Sequence, residues 1–213
     1  MRREPRQARS RQRVQAMIDA AEKLIGEHGY EALTTSQIAE EAGVTVATLY
    51  QFFPDKRALA QVLARGYVDR YIDLVEAQDV SGSDGSWWDD LEQNWAAVAR
   101  MNREIPAFAR MQFGDSIDVH LLDDELTNSE VIIQRLSEAH GGAHALDDPE
   151  IRRVMTVIVT AIGPLFGLAF RDRPEGDPQV LAEIGTLIRG YLRERFADRM
   201  PADGDGRGPA AGT

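Results

Sequence analysis

Residues 45–51 read TVATLYQ, a short run that mixes two hydroxyls, a phenol and an amide with small apolar groups. Wound as a helix, the run turns Leu49 inward and leaves Val46, Ala47, Thr48, Tyr50 and Gln51 outward. Such side chains on an exposed helix suit the major groove of duplex DNA, where base edges offer donors, acceptors and thymine methyls. The same spacing also fits an ordinary helical corner inside a bundle, so the surrounding elements carry the argument further.

Thr34 stands three residues before Gln37, a capping-box spacing that opens a short helix through Ala42. Gly43 breaks that helix and supplies the left-handed turn of a helix-turn-helix corner. Thr45 is placed to cap the next helix, which runs to about Phe53. Ile38, Ala42, Val44, Leu49 and Phe52 form the expected inward face, with Ala39 small where the helices cross. Upstream, Val14, Met17, Ile18, Ala21, Leu24 and Ile25 repeat at helical spacing until Gly29 stops them. Downstream, Pro54 closes the corner and Asp55 caps a long helix over about 56–77. Past a Gly/Ser-rich connection at 79–86, helices are expected near 87–103, 106–113, 117–139, 148–171 and 178–198, with a kink at Pro164. No strand-like alternation occurs, so the fold is all-α with about nine helices.

The string from Ala20 to Ala58 resembles the DNA-binding domain of TetR-type transcriptional regulators. The resemblance rests on Glu27-His28-Gly29-Tyr30, Thr34, Ile38-Ala39, Ala42-Gly43-Val44, Thr48-Leu49-Tyr50, Phe53 and Lys56. Two positions depart from it: Phe52 stands where the family most often has His, and Ile25 where it often has Phe. Charge and composition mark a flexible basic arm at 1–13 and a disordered tail at 199–213, and the resemblance implies a three-helix DNA-binding domain at 14–55 and a ligand-binding and dimerisation domain at 56–198. Thr45, Val46, Ala47, Thr48 and Gln51 would then lie in or beside the groove, with Gln51 suited to adenine and Val46 and Ala47 to thymine methyls. Tyr50, Thr48, Thr35 and Lys56 would bind phosphates, which set register without reading sequence. Arg11 and Arg13 of the arm would reach the minor groove or a neighbouring phosphate, an untethered tail being the equal alternative.

The resemblance further implies a homodimer built through the last two helices, and hence a palindromic operator in double-stranded DNA. Independently, the apolar residues of those helices exceed one narrow core-facing stripe. Ile158, Ile162, Leu165, Ile184, Leu187, Ile188 and Tyr191 are the expected interface, with plain intramolecular core accounting for about half of that apolar set. All the tryptophans fall between residues 87 and 95. Trp88, Trp95, Phe108, Met111 and Phe113, with Phe166, form the candidate wall of a pocket for a small, largely apolar effector; ordinary core is the alternative. In the family, effector binding would shift the 56–77 helix and re-space the two reading helices.

Charge first seems to contradict a DNA partner, since the net is −11. Divided, residues 1–66 hold ten Arg and Lys against eight acids, and residues 1–13 alone carry six Arg and one Glu. The acidity therefore belongs to the body, where it is expected to repel DNA from everything except the reading face. The absence of cysteine removes disulfides and thiolate chemistry. His140 and His144 with Asp147 and Asp148, and the set Asp115, Asp118, His120, Asp123 and Asp124, match no ligand spacing with a mechanism and are expected to be solvated surface. No catalytic constellation, cofactor loop or metal centre stands out, so no enzyme is expected. The uncharged run from Val154 to Phe170 is expected to be a buried helix, not a membrane span. With no signal peptide expected either, the cytoplasm is the anticipated location. The alternative function is a helical small-molecule-binding or scaffolding protein without specific DNA binding.

Overall fold

The computed structural model describes residues 4–79, 87–139 and 148–196, with the side chains of 4–7, 78–79 and 87–93 outside that description. Among the described residues the elements are all helical: α1 (Glu4–His28), α2 (Thr35–Glu41), α3 (Val46–Phe52), α4 (Lys56–Asp79), α5 (Trp87–Glu104), α6 (Pro106–Met111), α7 (Asn128–Ala139), α8 (Pro149–Ala169) and α9 (Pro178–Phe196).

The first four follow the local signals closely. Met17, Ala20, Ala21, Leu24 and Ile25 make the buried stripe of α1, and Gly29 ends it at φ +81°. Thr34 and Gln37 form the reciprocal capping box, with Thr34 N–H donating to Gln37 Oε1 (2.9 Å) and Gln37 N–H to Thr34 Oγ1 (3.3 Å). Gly43 makes the turn at φ +65°. Thr45 Oγ1 caps α3 by accepting Thr48 N–H (3.1 Å), and Asp55 caps α4 by accepting Ala58 N–H (2.8 Å).

Three features depart from the expectations. Residues 4–13 are not an arm standing apart; from Glu4 onward they are the opening turns of α1. Phe52 is 38% exposed and Phe53 takes the inward place, because Phe53 lies one full turn beyond the buried Leu49. Residues 117–127, expected to be helical, form turns. Their own side chains take the backbone N–H groups a helix would use: Asp118 accepts from His120, and Asp123 from both Glu125 and Leu126. The fully buried Asn128 accepts Leu122 N–H (2.9 Å), and a second capping box, Thr127 with Glu130, starts α7. From α4, Arg57 reaches Asp118 (2.6 Å) and His120 O, while Arg65 reaches Leu122 O, which pins the loop to the helix.

One buried core runs without interruption from α1 through α7 and takes in Phe166 of α8. Within it α1 lies along α6. A Cβ on Gly26 would stand 3.3 Å from Ala107 N and Pro106 Cβ, so glycine is what permits the approach, and Arg110 donates to Gly26 O (3.0 Å). A second cluster joins Ile133 of α7 to Ile151, Val154, Met155 and Ile158 of α8 and Ile184, Ile188, Leu192 and Phe196 of α9. By length and composition α8 could cross a membrane; one face of it packs in this cluster and against Phe166's neighbours, while Val157 and Leu168 are exposed, so the expected buried helix is buried on one face only. It continues through Pro164 to Ala169.

Candidate nucleic-acid interface

α3 is held from beneath by Leu49, which packs with Ile38, Ala39 and Phe53, all buried. At about 100° per residue, Ala47 and Gln51 stand opposite Leu49. Val46 and Tyr50 occupy one flank, and Thr48 and Phe52 the other. Tyr50 is 50% exposed, and its hydroxyl shares a hydrogen bond with Thr35 Oγ1 of α2 (3.2 Å). Thr45 and Thr48 hydroxyls are likewise joined (2.9 Å). The outward side chains of α3 thus sit on a fixed base, with two of their hydroxyls already oriented.

Lys56 is more committed than the sequence suggests. Its ammonium donates to Tyr30 O (3.2 Å) and Glu31 O (3.4 Å) and lies 4.4 Å above the Tyr30 ring. It therefore braces the turn between α1 and α2; of its three N–H donors, one remains for a phosphate. Arg11 and Arg13 are both exposed on α1 but face different ways. Arg13 lines an open groove of about 260 Å³ with Arg9, Gln12, Ala16, Ala42, Gly43 and Val44. Arg11, two residues back, points to the other side of the helix.

The residues expected to wall the effector pocket fall into two sets of ring contacts. Phe108 meets Phe113 edge to face (4.7 Å between centroids), and Trp95 meets Phe166 (4.8 Å). Phe108, Met111, Phe113 and Phe166 are buried and Trp95 half-buried; the Trp88 side chain lies outside the described residues. Sequence reasoning missed the α4 members, Tyr67 against Phe108 and Tyr71 against Phe113, because their spacing on α4 reads only as core. Tyr67 also donates to Glu22 of α1 (2.9 Å), so contacts run from Phe108 through α4 to the DNA-reading unit. Burial, with the Glu22 carboxylate, holds the Tyr67 hydroxyl far above the usual phenol range, and burial does the same at Tyr71. Asn102, also missed, is buried on α5, where its amide donates to Val98 O and its Oδ1 has no hydrogen-bond partner among the described residues.

The residues expected between subunits divide. Ile158, Ile184 and Ile188 are already buried within one chain, in the seam of α8 and α9. Ile162, Leu165 and Tyr191 are half-buried, while Leu187 is 56% exposed. Val157 and Leu168, which the sequence reading passed over, join Leu187 as exposed apolar groups on these helices. Of the acidic sets, His140, His144 and Asp147 lie outside the described residues. Asp118 is paired with Arg57, and backbone N–H donation from His120, then Arg57, keeps its carboxyl below the ordinary range. Among the described residues no group of three His, Asp or Glu could hold a metal ion.

Residues 17–63 match the family of bacterial regulatory proteins of the TetR type, and residues 85–196 match a tetracycline repressor-like C-terminal domain. The chain is 30% identical over 195 residues to the tetracycline repressor protein class D of Escherichia coli, covering 83% of this chain and 88% of that one. It is 26% identical over 239 residues to the A-factor receptor protein of Streptomyces griseus, covering 98% and 83% respectively. A crystal structure of a TetR-family transcriptional regulator from Streptomyces coelicolor aligns with a TM-score of 0.70 at 32% identity, over 86% of this chain and 99% of that one. The chain belongs to the TetR family of transcriptional regulators. With both family domains present, it is a ligand-responsive DNA-binding regulator of the repressor kind.

Proposed function

We propose that this regulator binds a palindromic operator as a homodimer in the cytoplasm and is released by a small, largely apolar effector. Residues 14–55 form the reading unit and 56–198 the effector-binding and dimerisation unit. Gln51 pairs with an adenine edge, Val46 and Ala47 meet thymine methyls, and Thr45 and Thr48 lie at the groove's side. Tyr50, Thr35, Thr48, and the remaining donor of Lys56 take phosphates. The wall of Trp95, Phe108, Met111, Phe113 and Phe166 receives the effector. The path from Phe108 through Tyr67 to Glu22 carries its effect, provided the effector binds the DNA-free arrangement more tightly than the DNA-bound one. Ile162, Leu165, Leu187 and Tyr191 contribute the dimer contact, with Ile158, Ile184 and Ile188 supporting it from behind.

The observation that carries this reading is α3 itself, a polar and small-residue rail on a buried base, with Ala47 and Gln51 outermost. Selection of bound sequences from random duplexes tests it. The parent should enrich one palindrome, and Gln51→Ala should relax a single position in each half-site. Enrichment of no sequence refutes the proposal; a preference unchanged by Gln51→Ala removes Gln51 from the base edges.

A further inference from the structure

Two adjacent residues at the start of α4 hold different parts of the molecule. Lys56 donates to Tyr30 O (3.2 Å) and Glu31 O (3.4 Å), in the turn between α1 and α2. Arg57 holds the body instead: its Nε and Nη2 both donate to Asp118 Oδ2 (3.0 and 2.6 Å), and Nη2 also reaches His120 O (3.2 Å). Two N–H groups of one planar guanidinium on a carboxylate fix direction as well as distance. The loop that carries Asp118 is a firm anchor. Its Leu121 is fully buried, and a Cβ on Gly114 would stand 2.6 Å from Leu121 Cδ2, so the chain closes directly on that side chain. The fully buried Asn128 donates to Asp115 Oδ1 (2.9 Å) and Asp118 O (2.8 Å) and accepts Leu122 N–H (2.9 Å). Asp118 is itself steadied, since its Oδ1 accepts His120 N–H (2.9 Å) while Oδ2 takes Arg57. The first turn of α4 is thus bolted to the reading unit by Lys56 and to the body by Arg57.

We infer that the Arg57–Asp118 tie fixes the angle at which each reading unit stands on the body, and so makes the dimer select one spacing between its half-sites. The inference rests on the proposed homodimer reading a palindrome through α3. One extra base pair between half-sites moves them apart by about 3.4 Å and turns them by about 34°. A reading unit fixed to its body cannot follow both displacements, whereas one freed at the first turn of α4 follows them in part. Arg57 is therefore a positioning residue, acting through α4 and not by touching DNA.

The test measures the affinity of the full-length protein for the palindrome it selects, and for the same palindrome with one base pair added or removed at its centre. The parent should discriminate against both altered spacings. Arg57→Ala and Asp118→Asn should each narrow that discrimination by roughly tenfold, because two part-exposed ties are lost per dimer. Asp118→Asn keeps an oxygen for His120 N–H, so the loop stays folded while the ion pair goes. The double variant should narrow the discrimination no further than either single one. Base preference within each half-site should be unchanged in all three variants. The salt slope of Arg57→Ala should also match the parent, since a lost phosphate contact would lower it by about 0.9. Equal binding of the parent at all three spacings overturns the inference, as does full discrimination in Arg57→Ala or Asp118→Asn. A lowered salt slope in Arg57→Ala would place Arg57 on a phosphate and overturn it too. Enrichment of no palindrome by the parent would instead overturn the reading of α3 on which the inference rests.

Discussion

Tyr50 offers a clean separation between a contact that positions DNA and one that attracts it. Its hydroxyl lies 3.2 Å from Thr35 Oγ1, and the ring is half exposed, so Tyr50→Phe removes one oxygen from the surface and leaves the packing alone. Stability should change by less than about 0.5 kcal/mol, as for exposed sites away from caps and core. Binding is another matter. A neutral donor to a charged phosphate contributes about 1.5 kcal/mol, which is about tenfold per half-site and about a hundredfold for a dimer on two half-sites. Because no charge is removed, no additional counter-ion stays behind and the salt slope should be unchanged. Fluorescence anisotropy on the operator and on mutated operators, over a range of salt, reads all of this together. The affinity should fall equally on every sequence, with parallel salt lines. A change of slope, or a loss confined to one base position, would refute the assignment of Tyr50 to a phosphate.

Leu49 is fully buried beneath α3, so Leu49→Ala should cost about 3 kcal/mol and lower the melting temperature by several degrees, read by circular dichroism. Leu187→Glu places a charge on an exposed apolar position without touching the single-chain core, so if the parent sediments as the proposed dimer, the variant should sediment as monomer. An unchanged dimer would move the interface elsewhere. Burial raises the Asp115 carboxyl above its ordinary range, against a smaller opposing pull from Asn128. A raised carboxyl stabilises the fold at low pH and loses that contribution as pH climbs through the raised value. Asp115→Asn should therefore gain stability over the parent as pH rises from about 4 to 7, and a gap independent of pH would refute that.

Much of the reading unit was legible because its signals are local. Thr34 with Gln37, Gly43, Thr45 and Asp55 each act within three residues of themselves, and each does in the fold what its spacing predicts. Phe52 and Phe53 are adjacent and equally apolar, so only the helical phase set by Leu49 separates exposed from buried. Residues 117–127 carry helix-compatible apolar spacing, but Asp118 and Asp123 compete for the backbone, and Arg57 and Arg65 reward the competing form from sixty residues away in the fold's folding of chain on chain. The division of α8 and α9 between core and surface depends on how the two helices lie together: Ile158 and Leu187 look alike in sequence and end on opposite sides of that seam. Asn102 and Tyr67 gave no signal, since a polar group's partner or lack of one exists only after packing.

The core that runs unbroken from α1 to α7 bears on how this reading head could be exchanged with that of another regulator. A splice placed between Phe53 and Lys56 falls in a surface turn, yet it parts α1 from the α6 surface that Gly26 was needed to approach. A hybrid made there would meet a foreign α6 with a groove cut to fit this one. Grafts should succeed when α6 travels with the head, even though α6 lies far along the chain. Heredity by contact, not by order in the sequence, then decides which parts of such a regulator can be shuffled as one piece.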